Sequence, residues 1–217
     1  MFSKEKFPGL LALGIFTFMS TLDGSIVNIA LPSMAREMHL DMGQVTWSVT
    51  IYLVVISGLI LLFGRLGDLI GKTKIFNYGS LLFTFGSLLA GINLGLHFLL
   101  FARIIQAIGA SMTMSNSFGI TSQLFEPALR ARAMSIMSMF VSLGSIAGPA
   151  IGGFILQIAS WSYIFWINVP VGIVTLLFGW YFLPKKEIKT GEKIDFVCFI
   201  IFAIFIMLFF GGFFLVQ

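Results

Sequence analysis

Two formally charged residues lie inside long apolar stretches of this sequence, and the chemistry they suggest is proton handling. Asp23 lies in the apolar run 8–30, and Arg103 lies in the apolar run 97–117. A charged side chain at the centre of a bilayer costs about 2.5–3.5 kcal/mol on insertion scales, so it is a candidate for function by default. A carboxylate can take up and release a proton, and a guanidinium beside it favours the ionised form. A purely structural ion pair that fastens two helices is the alternative.

The depths of these two residues in a membrane can be estimated from the rise of a helix. Asp23 lies seven residues before the end of its run at Ala30, which is about 10 Å at about 1.5 Å per residue. Arg103 lies six residues after the start of its run at His97, which is about 9 Å by the same rise. The two side chains are therefore expected at similar depth, where they can pair or act in series on a proton.

Helical phase leaves the direction of the Asp23 side chain open. A polar stripe occupies one face of the first run at about 100° per residue, and it consists of Thr17, Thr21, Gly24, Ser25 and Asn28. Asp23 lies about 140° from the centre of that stripe. Either Asp23 faces a neighbouring helix, or Gly24 relaxes the helix so that both face one cavity.

The elements that must position these residues are membrane helices. Of the 217 residues, 58% are apolar and only 10% are charged, whereas a soluble domain carries about 25% charged residues. A helix needs roughly 20 apolar residues to span a bilayer. Seven runs approach or exceed this length: 8–30, 45–63, 75–93, 97–117, 134–157, 162–183 and 196–216. The sequence therefore predicts an all-α, multi-pass membrane protein with the lipid bilayer as its surroundings.

The basic residues predict the orientation of these helices. With the amino terminus in the cytoplasm, eleven of the thirteen Lys and Arg residues fall in cytoplasmic segments, and only Arg36 falls outside. This asymmetry follows the positive-inside rule and predicts a cytoplasmic amino terminus. The expected location is the plasma membrane. The net charge of +4 lies in loops between apolar runs, so a nucleic-acid partner is not expected. The single cysteine, Cys198, excludes an intrachain disulfide.

A glycine-punctuated loop and four further motifs carry a family resemblance. The loop reads Gly-Arg-Leu-Gly-Asp-Leu-Ile-Gly-Lys-Thr-Lys, with Leu69 where a basic residue is usual. The five segments are Gly64–Lys74, Leu22–Pro32, Arg103–Ala110, Gly144–Gly153 and Trp161–Gly172. Together they resemble the major facilitator superfamily of transporters, in its drug:proton antiporter branch with fourteen transmembrane helices.

This resemblance implies a fold and an activity. Residues 1–184 are expected to form the six-helix amino-terminal bundle of such a transporter, and residues 185–217 a short cytoplasmic linker and a seventh transmembrane helix. The implied activity is export of a small lipophilic or drug-like compound, driven by the proton gradient without another cofactor. The alternative is a non-transporting membrane fragment, or a half-transporter that needs the missing second half or self-association.

The resemblance and the helical spacing also assign roles to residues. Asp23 and Arg103 are expected to couple the proton. The residues expected to line the cavity are Asn28, Gln106, Ala110, Thr113 and Ser117, although for Thr113 and Ser117 plain interhelical contact is the preferred interpretation. The expected conformational latch consists of Gly64, Asp68, Gly71 and Lys72. The expected helix-bend motif consists of Gly144, Gly148, Pro149, Gly152 and Gly153. No spacing of metal ligands and no nucleophile–base pair indicates a metal site or an enzyme.

Overall fold

A computed structural model describes residues 6–184 and, beyond them, residues 201, 204 and 205. The first of these ranges folds into long helices joined by short turns. They are α1 (Phe7–Met38), α2 (Met42–Ile70), α3 (Lys72–Ala90), α4 (Leu96–Leu124), α5 (Pro127–Ile158), α6 (Ser162–Trp166) and α7 (Asn168–Phe182). The predicted seventh run, 196–216, and most of the predicted linker before it lie outside the described residues.

Four helices, α1, α2, α4 and α5, extend at both ends beyond the apolar runs from which they were predicted. The first run ends at Ala30, yet α1 continues through Pro32 to Met38 and ends at His39, whose left-handed conformation (φ 54°) closes the helix. Among the described residues, five segments are long and apolar enough to cross a membrane: α1, α2, α4, α5 and the stretch Ser162–Phe182. Apolar composition marks the hydrocarbon layer, whereas backbone hydrogen bonding continues into the polar interface, which explains the added turns.

The sixth predicted span corresponds to one stretch, Ser162–Phe182, whose helical hydrogen bonding is interrupted near Ile167, although Ile167 itself keeps a right-handed helical conformation (φ −60°, ψ −27°). Ile167 separates α6 from α7, and its N–H donates to the carbonyl of Tyr163 at 3.0 Å. Pro170, in the first turn of α7, has no N–H to donate to the carbonyl of Trp166. The missing hydrogen bond explains why the helix is interrupted here, and the interruption leaves Asn168 as the first residue of α7.

Glycines determine how closely the helices pack. The most extensive helix pairs are α3 with α4, α1 with α5, and α2 with α4, while α7 packs against α3 and α1. A Cβ atom added at Gly148 would collide with Ser25, and one added at Gly109 would lie 2.8 Å from the Cα of Phe83. Small residues that let backbones approach are the usual means by which membrane helices associate.

Two clusters of buried apolar side chains fill the bundle. The cluster nearer the α2–α3 loop contains Phe16, whose ring meets Phe76 and Phe83 edge to face at 5.5 Å and 5.3 Å between centroids. The second cluster contains Trp161 and Phe165. Asp23 follows Leu22 of the second cluster and comes four residues after Met19 of the first.

Candidate functional site

Asp23 and Arg103 form an ion pair in the interior of the bundle. The Nη1 atom of Arg103 lies 2.7 Å from Oδ2 of Asp23, and neither side chain is exposed at all. The similar depths estimated from the sequence do bring the two residues together. Removing one partner of such a buried pair typically costs 3–5 kcal/mol, because the remaining charge is left uncompensated.

Amide side chains complete the coordination of the carboxylate. Oδ1 of Asp23 accepts from Nε2 of Gln106 at 2.9 Å and from Nδ2 of Asn168 at 2.7 Å. Gln106 Nε2 also donates to Oγ of Ser87 at 2.8 Å. We call Asp23, Ser87, Arg103, Gln106 and Asn168 the carboxylate network. It joins α1, α3, α4 and α7, so a change in the carboxylate reaches four helices.

The guanidinium of Arg103 is held on several sides. Its Nε atom donates to the backbone carbonyl of Ser48 in α2 at 3.0 Å, and Nη1 also donates to Oε1 of Gln106 at 2.6 Å. The ring of Tyr52 lies 3.9 Å from the guanidinium carbon, a distance typical of a cation–π contact. Nη2 of Arg103 has no hydrogen-bond partner in the described part of the chain.

The α2–α3 loop is held against α4 by side-chain contacts. Lys72 and Asp68 form an ion pair one helical turn apart. Gly71 has φ of 118°, a conformation that side chains rarely adopt, so glycine is required at this junction of two helices. The aliphatic part of Lys72 lies where a Cβ atom would stand at Gly119 of α4. Of the predicted latch residues, Lys72 therefore pairs with Asp68 and packs against Gly119 of α4.

Comparison with known proteins identifies the family. The family model of the Major Facilitator Superfamily matches residues 13–217. The chain belongs to this superfamily. Its relatives include the riboflavin transporter RibZ of Clostridioides difficile (strain 630), 40% identical over 190 residues, which are 88% of this chain and 42% of RibZ. The multidrug export protein EmrB of Escherichia coli (strain K12) is 34% identical over 84% of this chain and 36% of EmrB.

Further comparisons support the family and show the fold. The methylenomycin A resistance protein of Bacillus subtilis (strain 168) is 33% identical over 84% of this chain and 40% of its own length. A crystal structure of the peptide transporter POT in complex with sulfate superposes with a TM-score of 0.74 at 18% identity, over 94% of this chain and 46% of POT. The predicted resemblance and the amino-terminal bundle fold are thus confirmed. The chain spans about 40% of the length of the curated relatives it matches.

The question of helical phase has a definite answer in this superfamily bundle. Asp23 points toward α4 and α7, whereas Ser25 of the polar stripe donates to the carbonyl of Gly144 in α5 at 3.3 Å. The α-helix continues through Gly24 without interruption. Of the two alternatives, the one in which Asp23 faces neighbouring helices is therefore correct.

The predicted cavity wall on α4 differs from what the structure shows. Gln106, Ala110 and Thr113 are fully buried and Ser117 is 1% exposed, so none of them lines an open face of this bundle. Helical spacing predicted correctly that they share a face, but α2 and α3 cover that face. The hydroxyls of Thr113 and Ser117 donate within α4 itself, to Ala110 at 2.8 Å and to Thr113 at 2.6 Å. Asn28 is exposed and donates to the carbonyl of Gly24 at 3.0 Å.

The helix-bend motif divides into residues that contact α1 and residues that do not. Gly144, Gly148 and Gly152 are buried, and a Cβ atom at any of them would press on α1. A Cβ atom at Gly153 would meet nothing within 4 Å, and Pro149 is exposed. The predicted close backbone contact therefore holds for the three glycines spaced four residues apart.

Sequence reasoning did not single out Ser87 and Asn168 of the carboxylate network, nor Asn116 on the same helix as Arg103. Asn168 lies within the quoted motif Trp161–Gly172, but only the fold shows that it reaches Asp23. Asn116 of α4 donates to the carbonyl of Phe63 in α2 at 3.1 Å. A buried amide in an apolar run was the available signal for both asparagines. No group of three or more His, Cys, Asp or Glu side chains suited to a metal lies within the described residues.

Proposed function

We propose that this chain forms the amino-terminal half of a proton-coupled exporter of lipophilic or drug-like compounds. The carboxylate network is the observation that supports the proposal. It contains the two formal charges found inside the predicted spans, paired at 2.7 Å and wholly buried. Such residues in membrane proteins commonly mark proton relays. The proposal has two parts: the protein is a transporter and not an enzyme, and Asp23 and Arg103 are the pair that couples transport to the proton.

The network supplies a physical reason for coupling. While Asp23 is ionised, its charge compensates Arg103, and the three donors around it are satisfied. A proton on Asp23 neutralises the carboxylate, so the buried guanidinium of Arg103 loses this charged partner. An uncompensated buried charge is costly, so the protonated state favours a different arrangement of α1 against α4. Coupling of this kind needs a free-energy difference between two conformations, and this pair can provide one.

The second wall of the transport path is proposed to come from a second half or from another copy of this chain. Transporters of this fold rock two repeats around a site near the middle of the membrane. The α5 face bearing Ser135, Ser138 and Ser142 is exposed, and each hydroxyl donates to its own helix. A polar stripe on a membrane helix favours contact with protein over contact with lipid. A non-transporting fragment is the rival interpretation.

Riboflavin or a similar heterocycle is a second candidate substrate. The relative named as a riboflavin transporter shares 40% identity with this chain, compared with 34% for the multidrug export protein. The two candidates are distinguished by measuring accumulation of riboflavin and of a lipophilic dye in the same vesicles. Displacement of dye transport by riboflavin would indicate one shared site.

The proposed location is the plasma membrane, with the amino terminus in the cytoplasm. Single cysteines placed at Lys72 and at Met42, in a Cys198→Ser background, report the two sides. An impermeant thiol reagent added to intact cells is expected to label position 42 and not position 72. Labelling of position 72 alone would reverse the orientation.

The coupling proposal is tested in inverted membrane vesicles from cells that express the complete transporter containing this half. Wild-type vesicles are expected to accumulate dye when a pH gradient is imposed, and Asp23→Asn is expected to abolish that accumulation. Asp41→Asn is a matched control, because Asp41 caps α2 outside the network and asparagine caps helices equally well. Gradient-driven accumulation by Asp23→Asn at the wild-type rate would refute the role of Asp23.

A further inference from the structure

Asn168 is the one member of the carboxylate network whose side-chain acceptor has no hydrogen-bond partner within the described residues. Its Nδ2 atom donates to Oδ1 of Asp23 at 2.7 Å. Its Oδ1 atom is buried and has no hydrogen-bond partner within the described residues. An unsatisfied buried carbonyl costs free energy, so its retention beside a carboxylate calls for an explanation.

The other side chains of the carboxylate network already use their hydrogen-bonding groups in contacts with one another. Arg103 has only donors, and Oε1 of Gln106 already accepts from Arg103 at 2.6 Å. Oγ of Ser87 accepts from Gln106 at 2.8 Å and donates to the carbonyl of Phe83 at 2.8 Å. The ionised carboxylate suits these partners because it only accepts. A protonated carboxyl group must also donate, and Oε1 of Gln106 and Oγ of Ser87 each already accept one hydrogen bond, whereas Oδ1 of Asn168 accepts none within the described residues.

We propose that Asn168 is a positioning residue that senses the protonation state of Asp23 by rotating its side-chain amide. This inference rests on the proposed function, because it assumes that Asp23 takes up a proton. When a proton from water binds Oδ1 of Asp23, the amide turns over, and its Oδ1 accepts the new O–H in place of the lost Nδ2 donation. Oδ1 of Asp23 continues to accept from Gln106, and Oδ2 continues to accept from Arg103.

The position of Asn168 in the chain gives this rotation a structural consequence. It is the first residue of α7, directly after the interruption at Ile167, and its side chain is 1% exposed. Its backbone therefore joins α6 to α7 at a point where helical hydrogen bonding is already incomplete. Ionisable groups near the amide are Asp23 from α1, Arg103 from α4, and Tyr52 from α2, whose ring faces the guanidinium. The amide thus links the charge state of Asp23 to the α6–α7 junction.

Infrared difference spectroscopy on this chain in lipid nanodiscs tests the inference without requiring transport. The carbonyl band of protonated Asp23 is identified between spectra at low and high pH by its loss in Asp23→Asn. A carboxyl group that loses a hydrogen bond absorbs at higher wavenumber. We therefore expect an upward shift of the band in Asn168→Leu, which can neither donate nor accept. Asn168→Thr, whose hydroxyl can do both, is expected to restore at least part of the wild-type position.

Thr175→Val is the matched control, since Thr175 is buried on α7 and its hydroxyl donates only to Val171 of its own helix, at 2.9 Å. The Asp23 carbonyl band of Thr175→Val is expected at the wild-type position. The inference is overturned if Asn168→Leu leaves the band where it is, or if no band depends on Asp23 at any pH. It is also overturned if the difference spectrum between low and high pH contains no side-chain amide band that Asn168→Leu removes, because an amide that rotates to accept the O–H must change its own C=O stretch. If Asn168→Leu does not fold, Asn168→Ala removes the same donor and acceptor with a smaller side chain, and its band is compared with those of the wild type and Asn168→Thr for the same decision.

Transport by the complete protein separates this inference from the proposed function. A shifted band in Asn168→Leu together with full gradient-driven transport by Asp23→Asn would retain the amide switch and refute proton coupling. An unshifted band in Asn168→Leu together with abolished transport in Asp23→Asn would refute the amide switch and retain proton coupling.

Discussion

The side-chain amide of Asn116 on α4 occupies the space beside Gly67 on α2 in which any other residue would place its Cβ atom. The Cγ atom of Asn116 lies 2.7 Å from that position, and the amide donates to the neighbouring carbonyl of Phe63 at 3.1 Å. Gly67 thus belongs to the α2–α3 loop motif for a reason of packing. The same helix carries Arg103 about three and a half turns earlier, so α4 connects the carboxylate network with the loop.

Gly67→Ala is therefore expected to destabilise the bundle by about 1–3 kcal/mol, the usual cost of overpacking. Asn116→Ala removes the obstructing amide, so the double variant is expected to be more stable than Gly67→Ala alone. Thermal unfolding of the purified chain measures both effects. Gly64→Ala is the matched control for stability, because its Cβ would meet Ser115 at an ordinary 3.6 Å. Additive effects of Gly67→Ala and Asn116→Ala would contradict direct contact.

The glycines of α5 offer a second test of close packing. Gly148→Ala places a Cβ atom about 3.0 Å from the backbone nitrogen of Ile26 and against the hydroxyl of Ser25. We expect a loss of about 1–3 kcal/mol in stability. Gly153→Ala adds the same methyl group at a position with open space, and its melting temperature is expected to stay near that of the wild type. Equal melting temperatures for the two variants would contradict the close contact between Gly148 of α5 and Ser25 and Ile26 of α1.

Asp68 is expected to matter for transport and not for folding. Its ion pair with Lys72 spans one helical turn, and the Asp68 side chain is 36% exposed. Pairs of this kind contribute about 0.3–0.5 kcal/mol. Asp68→Asn is therefore expected to leave membrane insertion and melting temperature nearly unchanged while lowering the transport rate of the complete protein. Wild-type transport rates in inverted vesicles would remove Asp68 from the proposed latch.

The sequence predicts well those features that depend on one helix at a time. The depths of Asp23 and Arg103 follow from a constant rise per residue, and the structure pairs the two side chains at 2.7 Å. The sequence predicts poorly what covers a face. Gln106 and Thr113 do share one face of α4, yet periodicity cannot show that neighbouring helices bury it.

Contacts distant in sequence were the hardest to predict. Asn116 and Gly67 are 49 positions apart, and neither is unusual until the other is beside it. The interruption between α6 and α7 did have a local signal, because Pro170 cannot complete the helical hydrogen bond to Trp166. Hydropathy alone predicts one continuous apolar run, 162–183, because it does not register that proline lacks a backbone N–H.

The buried ion pair gives the last prediction, which separates a structural role from a role in coupling. Asp23→Asn and Arg103→Ala each leave one charge buried without its partner, so each is expected to lower stability by about 3–5 kcal/mol. The double variant contains neither charge and is expected to recover much of that stability, as measured by thermal unfolding of the purified chain. If the pair only fastens α1 to α4, gradient-driven transport should recover along with stability. We expect stability to return and transport to remain absent, because the double variant has no carboxylate to carry the proton. Recovery of coupled transport in the double variant would assign the pair a fastening role and would refute the coupling proposal.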